Sequence, residues 1–322
     1  MNVGIKDIAK AAGVSKSTVS NALNGKKNVS DETKKMILDL CQELNYYPNA
    51  AGRSLKMSES RAILFNFSDF DRSFYLKIIE GIHDFASGND FDLIICTSKS
   101  CEKYMRNSMT DGAIILDFRM ENETLLRVAR ENYPIVVLDR TIECPYIESI
   151  AVNNSAPMAD MVQGLVDRNY RNFAFLGGPE QTDDNKERYG AFLDVLSKNS
   201  IPFSRENYFS GDYRERSGGK AARIIMFMSE KPDVLVCAND NMAIGAIRCF
   251  REMGLRVPED IGVTGFDDCE LAKILGLTTV SIPNFERGYL AARRLIENIH
   301  GKRGEEKLII NPLIKWRKTV RQ

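Results

Sequence analysis

Histidine is nearly missing from this chain: His83 and His300 are the only two, each in a stretch that reads as helix. They read as ordinary surface or core residues rather than metal ligands. Cysteine is present but scattered. Cys41, Cys96, Cys101, Cys144, Cys237, Cys249 and Cys269 are odd in number and never form a C-x-x-C pair. That layout argues against a disulfide framework or a zinc site and points to a reducing compartment. There is no G-x-G-x-x-G and no P-loop; Gly177-Gly178-Pro179 reads as a turn after a strand. No nucleophile motif appears, so no metal, no cofactor and no enzyme activity are expected. Long apolar runs are lacking too: none reaches the roughly 18–20 residues of a membrane span. The amino terminus has no basic–apolar–small signal layout. No membrane partner and a cytoplasmic location are therefore expected.

Net charge is also absent, with 44 Lys and Arg against 44 Asp and Glu. Its distribution is uneven. Residues 1–30 hold five lysines (Lys6, Lys10, Lys16, Lys26, Lys27) against Asp7 alone, a net of +4. A local basic surface on a neutral chain is the footprint of phosphate contact. With 322 residues and 43% hydrophobic content, two or three folded domains with a sizeable core are affordable.

The first sixty residues carry the clearest pattern. Ile5, Ile8, Ala9 and Ala12 recur at helical spacing, and Gly13 then breaks the helix. Ser15 can cap a second helix running to about Leu23, with Val19, Ala22 and Leu23 inward and Lys16, Ser17, Thr18 and Asn21 outward. A third helix fits Asp31 to Leu44, capped by Ser30, with Met36, Ile37, Leu40, Cys41 and Leu44 as one stripe. Two short helices around a glycine turn describe a helix-turn-helix, whose second helix enters the major groove.

The run from Ile5 to Leu55 resembles the LacI/GalR family of bacterial transcription repressors. The residues that carry it are Ile5-Lys6-Asp7-Ile8-Ala9, Ala12-Gly13-Val14-Ser15, Thr18-Val19-Ser20, Ala22-Leu23-Asn24, Val29-Ser30, Glu32-Thr33, Leu44-Asn45-Tyr46, Pro48-Asn49 and Ala50-Ala51-Gly52-Arg53-Ser54-Leu55. The resemblance implies an operator-binding homodimer that lays Lys16 to Asn21 into each half-site of double-stranded DNA. Lys16, Ser17 and Asn21 are the candidates for base edges, with Thr18 beside them. Ser15, Ser20, Asn24 and Tyr46 would hold phosphates, and Asn49 lies at the same surface. Most relatives carry Arg where this chain has Asn21; Asn pairs bidentately with adenine, so the operator preference should shift toward A·T there. Residues 50–56 match the family's hinge helix, with Leu55 as its minor-groove wedge. Gly52 departs from the usual alanine and should make that helix harder to order by about 1 kcal/mol.

From Arg61 the texture changes to strands alternating with helices, read at 62–67, 91–96, 111–116, 135–139, 173–176, 234–238, 261–266, 308–310 and 313–316. Helices fall between them at 74–86, 122–132, 156–168, 186–199, 217–229, 242–253 and 284–300. Leu76, Ile79, Ile82, Phe85 and Ala86 should face inward on the first, and Trp316 should cover core. Only one or two helical turns fit between Thr97 and Asp111. Strand–helix alternation predicts parallel sheets covered on both faces. Two such runs resemble the periplasmic-binding-protein-like (type I) effector domain of the same family, two doubly wound subdomains behind a small all-α helix-turn-helix domain. The expected layout is a headpiece at 1–48, hinge helix and linker at 49–60, and an effector and dimerisation domain at 61–322. Within that domain, one subdomain takes about 61–154 and 284–311, the other about 155–283 and 312–322.

In such sheets ligands bind beyond the carboxyl ends of the strands, in the crevice between the halves. Asp139, Arg188, Tyr213, Asn239 and Asp267 stand near those ends. By the resemblance, Arg188, Asn239 and Asp267 would hydrogen-bond an effector and Tyr213 would stack on it. These residue types suit a polyhydroxylated molecule, and the resemblance implies a sugar or sugar derivative. Asp240 is a candidate cap for the helix near Met242. Ile282 stands where relatives often place a ligand-binding Gln, which makes that corner more apolar. No leucine heptads follow Trp316, so a tetramerising coiled coil is not expected. Three other readings are weighed: a solute-binding transport protein, an enzyme on an α/β scaffold, and a DNA-binding protein controlled by a protein partner.

Overall fold

The computed structural model describes residues 3–23, 26, 28–46, 59–68, 70, 74–97, 100–304 and 308–322. The expectations at Asn24, Asn49, Gly52 and Leu55 lie outside these residues. The chain divides into two compact units, Met1–Ser60 and Arg61–Gln322.

In the first unit, α1 (Ile5–Ala11), α2 (Lys16–Leu23) and α3 (Asp31–Glu43) pack on a thin core. Ile8, Ala9, Val19, Ala22, Ile37 and Cys41 are buried there, and Leu23, Val14 and Tyr46 lean against it. Gly13 turns the chain between α1 and α2 at φ +63, a left-handed conformation that glycine adopts without strain. The Asp7 carboxylate accepts the Gly4 N–H at 2.8 Å, and Ser30 Oγ accepts the Thr33 N–H at 3.3 Å. These bonds close the starts of α1 and α3. The expected stripe on α3 is narrower than its sequence suggests: Ile37 and Cys41 are buried, whereas Met36 and Leu44 are exposed. A three-helix core has room for one side of α3, not for a wide stripe.

The second unit holds two sheets. One has the order β11-β5-β4-β3-β1-β2, from β1 (Ala62–Phe67), β2 (Asp92–Thr97), β3 (Gly112–Leu116), β4 (Ile135–Val137), β5 (Ile147–Val152) and β11 (Leu308–Ile310). The other has the order β12-β10-β9-β8-β6-β7, from β6 (Phe173–Gly177), β7 (Tyr208–Ser210), β8 (Val234–Cys237), β9 (Gly262–Asp267), β10 (Thr278–Ser281) and β12 (Leu313–Lys315). Every neighbouring pair is parallel except β10 with β12. The central strands are buried along their whole length, as the continuous apolar runs predicted.

The first sheet is covered by α4 (Phe74–Ser87), α5 (Ser100–Arg106), α6 (Asn122–Val128) and α12 (Asn284–Ile299). The second carries α7 (Ser155–Asp167), α8 (Asp183–Lys198), α9 (Glu215–Met226), α10 (Asp240–Glu252) and the short α11 (Glu270–Leu275). One device recurs in both halves. A Cβ on Gly81 would meet the Phe285 carbonyl oxygen at 2.0 Å, and one on Gly288 the Ile78 oxygen at 2.1 Å. Likewise Gly218 faces the Met242 oxygen at 1.9 Å and Gly245 the Glu215 oxygen at 2.0 Å. Helices α4 and α12, and α9 and α10, thus cross backbone against backbone.

Several expectations are corrected. Leu76 is 68% exposed; Ile82 and Ala86 are buried and Ile79 and Phe85 partly so, as expected, while Tyr75 and Ile78 take the place expected of Leu76. Strand β5 was not foreseen, because Ile147-Glu148-Ser149-Ile150 mixes polar and apolar residues near a sheet edge. Strand β7 and helix α11 are too short to announce themselves. The helix expected over 122–132 ends at Val128, where Arg130 and Tyr133 bridge instead. Trp316 retains 36% exposure and lies beneath the Arg168 guanidinium, 3.9 Å from the ring centroid, rather than in a core. Asn239, not Asp240, caps α10 by accepting the Met242 N–H at 3.1 Å.

The chain passes between the halves three times: after β5 at Asn153-Asn154, after β10 at Ile282-Pro283, and between β11 and β12 at Asn311-Pro312. Asn153 joins the first and third, its N–H donating to Ile310 O at 2.9 Å and its side chain to Asn311 Oδ1 at 3.3 Å.

Candidate functional site

The first unit presents the polar side of α2. Lys16 and Ser17 are exposed, and Thr18, Ser20 and Asn21 are half-buried over the buried Val19 and Ala22. Ser15 Oγ accepts the Thr18 N–H at 3.1 Å and bonds Ser17 Oγ at 2.6 Å and Thr18 Oγ1 at 2.8 Å. These short links fix the start of the helix and orient its first hydroxyls. Tyr46 packs on the small core, and burial raises its hydroxyl pKa.

In the second unit a cavity of about 270 Å³ opens between the halves at the carboxyl ends of the strands. Asp139, Arg188, Tyr213, Asn239 and Asp267 all line it, and so does Ile282. The strand ends explain the convergence: β4 runs into Asp139, β8 into Asn239, β9 into Asp267 and β7 toward Tyr213.

Arg188 is the best-anchored member. It projects from α8 and is only 5% exposed. Its Nε and Nη2 donate to Asn154 Oδ1 at 3.0 and 2.8 Å, and Nη1 donates to the Ala238 carbonyl at 2.6 Å. The guanidinium stacks 3.8 Å from the Phe266 ring centroid, and Asp184 Oδ2 lies 3.6 Å away. Asn154 in turn donates to Glu187 Oε2 at 2.9 Å. A residue at the first chain crossing is thereby tied to the floor of the cleft.

Tyr213 is buried at φ +65, and its hydroxyl donates to Asp184 Oδ1 at 3.0 Å and bonds Thr182 Oγ1 at 3.2 Å. Burial and the Asp184 charge push its pKa well up. For Asp184 itself burial acts upward, but Arg188 and hydrogen bonds from Thr182, Tyr213 and the Asn185 N–H outweigh it, leaving the pKa lowered. Asn239 lines the cavity, yet its side chain is in use: Oδ1 caps α10 and Nδ2 donates to the Tyr213 carbonyl at 3.0 Å. Asp267 ends β9 at φ +121, where the chain turns. Asp240 holds that turn by accepting the Cys269 N–H at 2.8 Å and the Thr279 hydroxyl at 2.5 Å; burial raises its own pKa to about 6.

The opposite wall differs. No other described residue donates a hydrogen bond to either Asp139 oxygen, and Arg140 Nε faces Oδ1 as an ion pair at 3.7 Å. Burial raises the Asp139 pKa to about 6, against the pull of Arg140, its own backbone N–H and Arg287. Arg287 reaches in from α12, 5% exposed, its Nη2 donating to the Leu138 carbonyl while Nε has no partner. Burial lowers its pKa to about 10.

Asp184, Arg287 and Asn154 were not foreseen. Asp184 had a usable signal, its i,i+4 spacing to Arg188. An arginine on a helix and an asparagine before one carry none, because they read as a surface charge and a cap. Among the described residues no group of His, Cys, Asp and Glu could hold a metal ion, and no helix is long and apolar enough to cross a membrane.

Comparison with known proteins agrees with both units. Residues 4–49 match the family model of bacterial regulatory proteins, lacI family, and residues 162–320 match that of the periplasmic binding protein-like domain. The probable HTH-type transcriptional repressor ExuR of Bacillus subtilis (strain 168) is 32% identical over 99% of both chains. The HTH-type transcriptional regulator RegA of Clostridium saccharobutylicum is 30% identical over 95% of both. Among solved structures, the lac repressor dimer bound to operator and the anti-inducer ONPF superposes with a TM-score of 0.83 at 27% identity, covering 99% of each chain.

Proposed function

Since this chain belongs to the lacI family of bacterial regulatory proteins, we propose that it is a dimeric, operator-binding transcriptional repressor whose grip on DNA is set by a small polyhydroxylated effector in the cleft. Residues 1–48 form the DNA-binding headpiece, 49–60 the hinge and linker, and 61–322 the effector and dimerisation domain. Helix α2 carries the base-reading residues Lys16, Ser17 and Asn21. Ser15, Ser20, Asn24 and Tyr46 set register on the backbone, Thr18 and Asn49 lie on the same DNA-facing surface, and Leu55 wedges the minor groove.

One observation supports the switch above others: Arg188, deep in the cleft, shares Asn154 Oδ1 with the chain crossing between the halves. A ligand that engages Arg188 acts directly on the connection that sets the angle between subdomains. Its differential affinity for two such angles is what shifts the population. Tyr213 supplies the aromatic face for the ligand. Asp139 and Asp267 supply acceptors from opposite halves.

The test is binding-site selection from a random duplex pool, with and without a neutral sugar panel, on the wild-type chain and Asn21→Arg. The wild type should select a pseudo-palindrome with adenine where Asn21 reads, and Asn21→Arg should move that position toward guanine. Selection without twofold symmetry, or no change at any position, would reject this reading.

A further inference from the structure

Eight buried side-chain polar atoms in the described residues have no hydrogen-bond partner, and four lie on one wall of the cleft. They are Asp139 Oδ1 and Oδ2, Arg140 Nε and Arg287 Nε. Buried polar groups are normally paired, because leaving one unpaired costs its full desolvation. Here the shortfall of hydrogen bonds has both signs in one place: two carboxylate oxygens and two guanidinium N–H groups, all on residues that line the same cavity, with Arg140 Nε and Asp139 Oδ1 facing each other only as an ion pair at 3.7 Å. The arrangement is also held fixed. Arg287 Nη2 bonds the carbonyl of Leu138, the residue before Asp139, and an Arg140 Nη2 bonds the Asp117 carbonyl at 3.0 Å.

We infer that Arg287 is a specificity-determining residue of the cleft, pairing with Asp139 to read adjacent hydroxyls of an uncharged polyol and to reject carboxylated or phosphorylated analogues at that end. The inference rests on the cleft being the effector site. Its logic is a count of valences. These atoms are sealed from solvent in the unliganded cleft; once a small shift uncovers them, a hydroxyl can donate to Asp139 and accept from Arg287 at once, so two neighbouring hydroxyls satisfy the wall. An anionic group satisfies the arginines only and sets a second negative charge against Asp139. Five carboxylates and three guanidiniums line the cavity, so the surroundings do not favour an added anion. Asp139 faces Arg140, Arg287 from α12, and Asp184 from α8; Arg287 faces Asp267 and Arg188 as well. Because a hydroxyl that donates to Asp139 favours its ionised form, polyol binding should release a proton and tighten as pH rises through about 6.

The experiment is thermal shift followed by calorimetry on the full chain. The probes are neutral hexoses, pentoses, disaccharides and nucleosides, each beside its uronate or phosphate counterpart, and then single-deoxy versions of any binder. A neutral member should bind and its anionic counterpart should not. Arg287→Leu should weaken that binding about 10- to 100-fold. It should also abolish the penalty for removing one particular hydroxyl, leaving the penalties at other hydroxyls intact. Arg287→Lys should restore part of the affinity, and the unliganded melting temperature of each variant reports its folding. Preferential binding of the anionic counterparts overturns this inference and leaves the cleft reading in place. So does an Arg287→Leu chain that discriminates deoxy analogues as the wild type does. If no probe binds, the cleft reading falls and this inference with it.

Discussion

The two walls of the cleft hold the same kinds of side chain and treat them differently. On the wall from the second half, Arg188, Asp184, Tyr213 and Asn239 bond one another and the backbone, so few valences are left over. On the wall from the first half, Asp139, Arg140 and Arg287 stand close yet leave four buried atoms without a hydrogen bond. The carboxylates report the contrast directly. Asp184 has its pKa lowered by Arg188 and three hydrogen bonds against burial, while burial wins at Asp139 and raises it to about 6. A satisfied wall contributes stability by itself; an unsatisfied one is the wall that, under the proposed function, has bonds left for an effector.

Arg188→Ala is the severest way to break this comparison. It strips the second wall of its central donor, takes the cation from the buried Asp184 and leaves Asn154 Oδ1 without its donors, so urea unfolding of the second unit should lose about 3 kcal/mol. A loss below about 1 kcal/mol would mean that this wall is not prepaired. Asp139→Asn should act in the opposite direction, stabilising the unliganded chain by about 1–2 kcal/mol at pH 7.5. The sign follows from the raised pKa. The folded state binds the Asp139 proton more tightly than the unfolded one, so stability falls as pH rises from about 4 to 6 and is level above. Asp240 adds the same slope, so Asp139→Asn should flatten the profile only in part. No gain at neutral pH would erase the contrast between walls. The smallest effect belongs to Tyr213→Phe, which keeps the ring and removes the bonds to Asp184 and Thr182. It should cost about 1 kcal/mol at pH 7. That cost should shrink as acid protonates Asp184, because stability from a lowered carboxylate pKa is lost as pH falls. A cost independent of pH would show that Thr182 alone carries the bond.

Much of this was legible beforehand. Gly13, the alternation of apolar runs with helical stretches, and polar residues at strand ends led to the headpiece, both sheets and five lining residues of the cleft. Illegible features share a cause: their meaning depends on what the other half brings. Ile147 to Val152 looks too polar for a strand until β4 and β11 flank it. Leu76 looked inward on apolar character alone, whereas Gly81 marks the side that α12 approaches. Arg287 is one more helical arginine until α12 carries it beside Asp139. Asn239 was readable as a polar strand-end residue, but not that its amide would be shared between a helix cap and the Tyr213 carbonyl.

The sharing of Asn154 Oδ1 between two arms of one guanidinium has a historical consequence. If Arg188 engages the effector as proposed, a lineage cannot retune that contact without also loosening the joint bonded to it. Changes in taste should therefore accumulate on the half carrying Arg287 and Asp139, where a new side chain alters the guest and leaves the pivot alone.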